Sequence, residues 1–260
     1  MVDSRLREGV EVFRADALAG VPHGFLGRRG GVSAGLVAGL NVGLGAGDDD
    51  AAVAENRARA VAAVLPGAAL ATVYQVHSPL CVAATGPWPD ALRPHADALV
   101  TDRPGLLLGI VTADCAPVLF ADVAAGVVGA AHAGWKGALG GVADATLTAM
   151  EALGARRGQI AAVIGPCIAQ PSYEVDAGFA ARFAADDLAS EQFFSTGAPD
   201  HFQFDLSGYV TARLEAAGVG QVEQLDLDTY PDAERFFSFR RATHRGEASY
   251  GRQISLIGLG

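Results

Sequence analysis

Cysteine is scarce in this chain. Three thiols in 260 residues, Cys81, Cys115 and Cys167, stand too far apart to form a disulfide framework. Thiols used this way belong to a reducing compartment, so the expected location is cytoplasmic. Long apolar runs are missing as well. The run Leu106 to Val111 is far shorter than the ~20 residues that span a bilayer. The N-terminal residues Asp3, Arg5, Arg7 and Glu8 mix both charges and offer no apolar signal core, so no secretory leader is expected. Positive charge is in deficit, with 19 Lys and Arg against 29 Asp and Glu and a formal net charge of −10. Such a chain repels phosphate backbones and anionic lipid, which argues against nucleic acid and membrane surfaces as partners. The one dense basic patch, Arg235 to Arg245, has Arg240 and Arg241 at its centre and Phe236, Phe237 and Phe239 beside them. No segment rich in Pro, Ser or charge separates two halves, and no internal repeat of solenoid length appears. A single domain over residues 1–260 is expected.

What is present is the balance of a globular chain. Half of the residues are hydrophobic and 18% are charged, and the 33 glycines imply many turns and close packing. Short apolar runs bounded by turn residues predict strands at Val10 to Arg14, Val21 to Leu26, Leu70 to Val76, Leu80 to Ala83, Ala98 to Thr101 and Leu106 to Val111. Further strands are predicted at Pro117 to Phe120, Val127 to Ala131, Ile160 to Ile164, Val222 to Leu227 and Gln253 to Leu259. Helices are predicted from Asp48 to about Val64, over Gly134 to Leu153, over Ala177 to Ala184, and over Leu206 to Ala217 with Asp205 as its cap. Strands outnumber helices and do not alternate with them strictly. The expected fold is therefore α+β (mixed α/β), with mixed sheets and flanking helices.

Three segments each end an expected strand: Gln75-Val76-His77, Thr112-Ala113-Asp114-Cys115 and Ala131-His132-Ala133-Gly134-Trp135. Strand ends on a rigid scaffold are where functional side chains are presented. One thiolate and two imidazoles are a good zinc set, and three protein ligands leave a fourth position for water or substrate. A zinc ion held this way would lower the pKa of its water to about 7. Spacing alone is a weak signal, because the ligands are 38 and 17 residues apart and no HExxH or CxxC motif occurs. Cys115 as a small buried hydrophobe is the competing reading.

The motifs resemble a known family nearly end to end. They include His23-Gly24-Phe25, Arg28-Arg29-Gly30-Gly31-Val32-Ser33, Leu40-Asn41-Val42-Gly43, Glu55-Asn56-Arg57, Gln75-Val76-His77 and Ala96-Asp97-Ala98. They continue through Thr112 to Val118, His132-Ala133-Gly134-Trp135-Lys136-Gly137, Ile164 to Ile168, Tyr173-Glu174-Val175 and Phe237-Ser238-Phe239-Arg240-Arg241. The family is that of the laccase-domain or multicopper polyphenol oxidase-like proteins, also called purine nucleoside phosphorylase-like proteins or peptidoglycan editing factors. The resemblance implies a single α/β domain and metal ligands at His77, Cys115 and His132. It implies an enzyme that cleaves adenosine, inosine, guanosine and methylthioadenosine with phosphate, to base and ribose 1-phosphate, and that also deaminates adenosine. The implied ion is Zn2+, with Cu2+ satisfied by the same ligands. Alternative functions are peptidoglycan precursor editing and copper-dependent polyphenol oxidation; the second ordinarily needs His-x-His pairs, and the six histidines here form none.

For phosphate and ribose, cations and backbone amides are needed. Arg28 with the Gly30-Gly31 turn is expected to cradle phosphate, Arg240 or Arg241 to add a bidentate contact, and Asn41 to orient a ribose hydroxyl or phosphate. His23, His95, His201 and His244 are expected to be surface or satisfied polar residues, Cys81 core, and Cys167 near the pocket. Trp135 is expected as a packing anchor, and Asp114 as either a partner of a ligand histidine or a cap. Against the usual family pattern, Lys136 replaces Arg, Asp228-Thr229 replaces Cys-Thr, and Ala242 to Tyr250 is a longer stretch. The sequence is silent on oligomeric state.

Overall fold

Side-chain alternation along two strands decides how the molecule is layered. In the strand Leu106–Thr112, Leu106, Leu108 and Ile110 pack to one side while Leu107 packs to the other. In the strand Ala116–Asp122, Leu119 and Ala121 join the first of those clusters, while Val118 and Phe120 join a third. Two sheets therefore share one apolar interface and each buries its outer face under helices. The computed structural model describes residues 4–7 and 9–260; Asp3 and Glu8 of the mixed-charge N-terminus lie outside them.

The first sheet runs in the order β1 (Ser4–Arg7), β2 (Val10–Phe13), β3 (His23–Leu26), β15 (Gln253–Gly258), β7 (Leu106–Thr112) and β4 (Ala69–Thr72), with only β4 and β7 parallel. The second runs β14 (Gln221–Gln224), β10 (Ala161–Ile164), β8 (Ala116–Asp122), β9 (Val127–Ala133), β6 (Ala98–Thr101) and β5 (Cys81–Ala83), parallel at its two outer pairs. A small antiparallel sheet, β11 (Glu174–Asp176), β13 (His201–Phe204) and β12 (Phe194–Thr196), stands apart.

Helix α1 (Asp50–Val64) covers the first sheet through Ala60, Ala63 and Val64. Helices α2 (Trp135–Leu139), α3 (Val142–Ala152), α4 (Ala177–Asp186) and α5 (Leu206–Ala216) pack on the outer side of the second sheet and the small one. Asp49, Asp176 and Asp205 cap α1, α4 and α5 by accepting from Ala52, Phe179 and Gly208 amides. The mixed α+β expectation holds. The single helix expected over Gly134 to Leu153 is two, because Gly140 ends α2 and Gly141 adopts a left-handed φ of +88°. The strand expected to reach Val76 stops at Thr72, and the chain beyond it turns irregular up to His77. The small sheet and the short helix α6 (Phe239–His244) were not anticipated; the sheet's strands are three or four residues long and mostly exposed or half-exposed.

Candidate metal centre

Residues far apart in sequence meet at one end of the two sheets. His77 follows β4, Cys115 sits in the turn between β7 and β8, and His132 lies in β9 opposite Pro117 of β8. Their donor atoms all lie within 4.8 Å of one another. The two imidazole rings stand 4.8 Å apart at 73°. His77 is exposed, Cys115 half-buried and His132 buried. His77 has φ of +60° and Asp114, the residue before Cys115, has φ of +85°. Non-glycine residues seldom adopt this region, and such strain collects at functional sites. Gly134 keeps the space between the donors open. A Cβ there would stand 2.9 Å from the Cys115 Sγ and 3.0 Å from the His77 Cδ2.

The loop carrying His77 is gripped from two sides. The Gln75 side chain exchanges two hydrogen bonds with the Val111 backbone, 2.8 and 2.9 Å, and so docks the loop on β7 like an added strand. Asp97, fully buried, does more. Its Oδ2 accepts from the Val76 amide, the Ser78 amide and the Ser78 hydroxyl, and its Oδ1 accepts from the His77 amide at 2.9 Å. The same Oδ1 lies 2.8 Å from His132 Nδ1. Burial works against the Asp97 charge, yet the bonds from His132 and Ser78 overcome it and bring its pKa down to about 2. A carboxylate this acidic accepts, so Nδ1 carries the imidazole proton and Nε2 is left for Cys115 or a metal. One aspartate thus orients both histidines of the set.

Burial also opposes ionisation of Cys115, but the charge of His132 and hydrogen bonds from His132 and His77 outweigh it, and the thiol falls to about 6. His132 loses some basicity to burial and regains more from Cys115 and Asp97, so its pKa rises. Both shifts run in the direction of a thiolate beside an imidazolium in the metal-free site. A soft thiolate and two imidazoles converge on a space held clear by glycine, and a buried carboxylate fixes one ring's tautomer. This donor set fits a divalent ion that favours sulfur and nitrogen. Among the described residues it is the one group of His, Cys, Asp and Glu side chains gathered this way.

Two cavities meet at the centre. The first, about 540 Å³, is lined by Trp135, Tyr173, Phe179 and Phe239, with Lys136, Arg182 and Arg240 among its charged residues. The second, about 370 Å³, lies against His132 and the Gln75 loop. His77, Ala113, Cys115 and Phe239 line both. Trp135 packs on Phe179 with centroids 4.9 Å apart and also forms wall, so it anchors and lines at once. His201, expected at the surface, is exposed and lines the first cavity.

Asp114 is a cap and not a partner of a histidine. It accepts from the Thr229 and Ser238 hydroxyls and from the Arg240 amide, which ties the turn of Cys115 to the start of α6. Its pKa is raised because burial outweighs those bonds. Arg240 itself lines the first cavity, its Nη1 donating to the Glu174 carbonyl and its guanidinium over Tyr173. The structure places the other expected substrate contacts elsewhere. Arg28 donates to the Ala38 and Ala233 carbonyls and lies on Phe237, and a Cβ on Gly30 would collide with the Gly9 backbone. Arg241 donates to the carbonyls of Thr229, Tyr230 and Phe236. Asn41 is fully buried, bonded to Asp48 and to the amides of Gly43 and Arg252. These three side chains bind their own chain, and none lines either cavity at the metal centre. Cys167 lines a separate small cavity, with its thiol pushed up by burial, and His23 bridges the Ala15 amide and Val21 carbonyl. Sequence reasoning missed Asp97, whose only signal was its place in a motif.

Residues 22–260 match the family described as multi-copper polyphenol oxidoreductase laccase. A Deinococcus radiodurans protein named purine nucleoside phosphorylase is 44% identical, over 96% of this chain and 94% of its own. A Streptomyces griseus protein, named purine nucleoside phosphorylase ORF3, is 42% identical over 84% of this chain and 87% of its own. The crystal structure of the Bacillus licheniformis hypothetical protein YfiH superposes with a TM-score of 0.88 at 31% identity, covering 99% of both chains.

Proposed function

Because the chain belongs to the multi-copper polyphenol oxidoreductase laccase family and its relatives bear the name purine nucleoside phosphorylase, we propose that it cleaves purine nucleosides with phosphate, with zinc held by His77, Cys115 and His132. One observation carries this reading: an open three-donor centre forms the floor of a cavity walled by Trp135, Tyr173, Phe179 and Phe239. Purines offer flat π faces to such walls. The volume, about 540 Å³, falls within the range of ~300–1,000 Å³ for small-molecule sites. Bound zinc supplies Lewis acidity and lowers the pKa of water, on which phosphorolysis and a side activity of adenosine deamination would draw.

The chain's own groups do the rest. Asp97 holds His77 and His132 in register before any ligand arrives. Arg240, fixed against the Glu174 carbonyl and Tyr173, brings positive charge to the same cavity. Glu174, Asp176 and His201 line the cavity and are groups that exchange protons, as the departing base requires. Three free thiols, Cys115 among them, persist in a reducing compartment, which supports a cytoplasmic location. No helix among the described residues is long and apolar enough to cross a membrane.

The test is base release from inosine and adenosine by zinc-loaded protein, with and without phosphate, beside Cys115→Ser. Phosphate-dependent release of hypoxanthine and adenine, lost in the variant, is expected. Absence of release under every condition overturns the reading. Elemental analysis of the protein as purified checks the ion; zinc is expected, and copper in its place would redirect the assay to phenols.

A further inference from the structure

The second cavity has a composition that the chain as a whole does not. Arg57, Arg93 and Arg252 line it, all half-buried, and no Asp or Glu does. In a protein with net charge −10, three guanidiniums around about 370 Å³ without a lining carboxylate are a concentrated positive field. Asp90 approaches two of them from outside the lining, 3.6 Å from Arg57 and 3.5 Å from Arg93, and is shared between them. Arg252 touches the Tyr250 hydroxyl at 3.3 Å, stacks on that ring, and has no ion pair among the described residues. The first cavity is different: it holds cations too, but Asp114, Glu174 and Asp176 line it with them.

We propose that the second cavity is an inorganic-phosphate subsite, with Arg57, Arg93 and Arg252 as its cations. The proposal rests on the phosphorylase reading and deepens it. The metal centre is then the shared wall between the two substrates. Phosphate comes from the side of Arg252 and the nucleoside from the side of Trp135, so nucleophile and leaving base stand on different sides of the sugar, as displacement requires. A phosphate oxygen forms the new bond to the anomeric carbon. The bond from that carbon to the base nitrogen breaks, its electron pair leaves with the base, and the proton carried by hydrogen phosphate ends on the base. Atoms and charge balance with ribose 1-phosphate and free base as products.

The experiment measures two things on zinc-loaded protein: binding of inorganic phosphate by calorimetry, and initial rates against phosphate and against inosine. Arg252→Met keeps the apolar stem and removes the fork. It is expected to weaken phosphate binding and raise the phosphate KM by about ten- to hundred-fold, the worth of a charged hydrogen bond, with the inosine KM changed less than about two-fold. Arg93→Met, whose circular dichroism melt is compared with wild type, serves as the second variant and is expected to act in the same direction. Arg240→Met is expected to raise the inosine KM instead. Unchanged phosphate binding and phosphate KM in both Arg252→Met and Arg93→Met, with loss in Arg240→Met, would overturn the assignment and move phosphate to the first cavity. Wild-type protein that binds phosphate through Arg252 but releases no base would uphold the subsite and overturn phosphorolysis, so the two failures read differently.

Discussion

Asp97→Asn is the perturbation whose consequences the structure defines best. The carboxylate satisfies five donors: the amides of Val76, His77 and Ser78, the Ser78 hydroxyl and His132 Nδ1. An amide has one acceptor oxygen and one NH2. With its oxygen in place of Oδ2, the NH2 meets the His77 amide, donor against donor, and His132 must accept at Nδ1. That moves the imidazole proton to Nε2, the nitrogen a metal needs. With the amide turned over, the NH2 meets the Val76 and Ser78 amides instead. Either way at least one buried donor is orphaned, at roughly 1–3 kcal/mol, and the buried charge pair with His132 is broken, for a total of about 3–5 kcal/mol. Metal affinity should fall about ten- to hundred-fold, as when an orienting partner of a ligand is removed. Urea unfolding of metal-free protein measures the first quantity and chelator competition the second. The acid limb adds a sign. Asp97 is held below its ordinary 3.8 at about 2, so its stabilisation is present in full above pH ~4 and is lost as pH falls toward 2, roughly 2 kcal/mol in all. Wild type and variant should therefore converge between pH 4 and 2. A destabilisation under ~1 kcal/mol with unchanged metal affinity would refute the idea that this carboxylate organises the centre.

Three further outcomes follow from the same geometry. Gly134→Ala should lower metal affinity by about ten-fold or more while the fold persists, because its Cβ crowds Sγ and the His77 ring; chelator competition with an unchanged result would show that the space is not used. In metal-free protein at pH 7, iodoacetamide should label Cys115, whose thiol sits near 6, well before Cys81, which burial raises to about 12, or Cys167. The Cys115 rate should drop as pH falls through 6 and zinc should protect it; peptide mapping that finds all three labelled alike would contradict the electrostatics described. Arg28→Ala should cost about 2–4 kcal/mol of stability through its lost carbonyl bonds and its ring contact, with inosine KM unchanged; a raised KM at full stability would return Arg28 to the substrate.

Much of the centre was legible because strand ends can be found without knowing the fold. His77, Cys115 and His132 each close an apolar run, and the topology brings β4, β7, β8 and β9 to the same end. The arginines were harder. Sequence shows where a guanidinium is attached and says nothing of which carbonyls surround it, so Arg28 and Arg241, spent on backbone oxygens, looked the same as Arg240, which lines the cavity. Arg57, though part of a motif, was given no role, and neither were Arg93 and Arg252, the three being 36 and 159 residues apart in turn and gathered only by tertiary packing. Asp97 acts through backbone amides some twenty positions earlier, and amides carry no sequence signal. The break between α2 and α3 was written in Gly140-Gly141, but an otherwise helical stretch on both sides masked it.

The small sheet and α4 have a consequence for how this protein can change. Tyr173, Glu174, Asp176, Phe179, Arg182 and His201 all line the first cavity from one stretch of chain. His77, Cys115, His132 and Asp97 hang on the two large sheets, and none of them is hydrogen-bonded to that stretch. Substitutions between residues 173 and 201 can thus alter what is accepted while the reactive centre keeps its shape. Selection on substrate preference and selection on metal retention act on separate parts of the chain, so members of this lineage are free to diverge in what they process while inheriting the same chemistry.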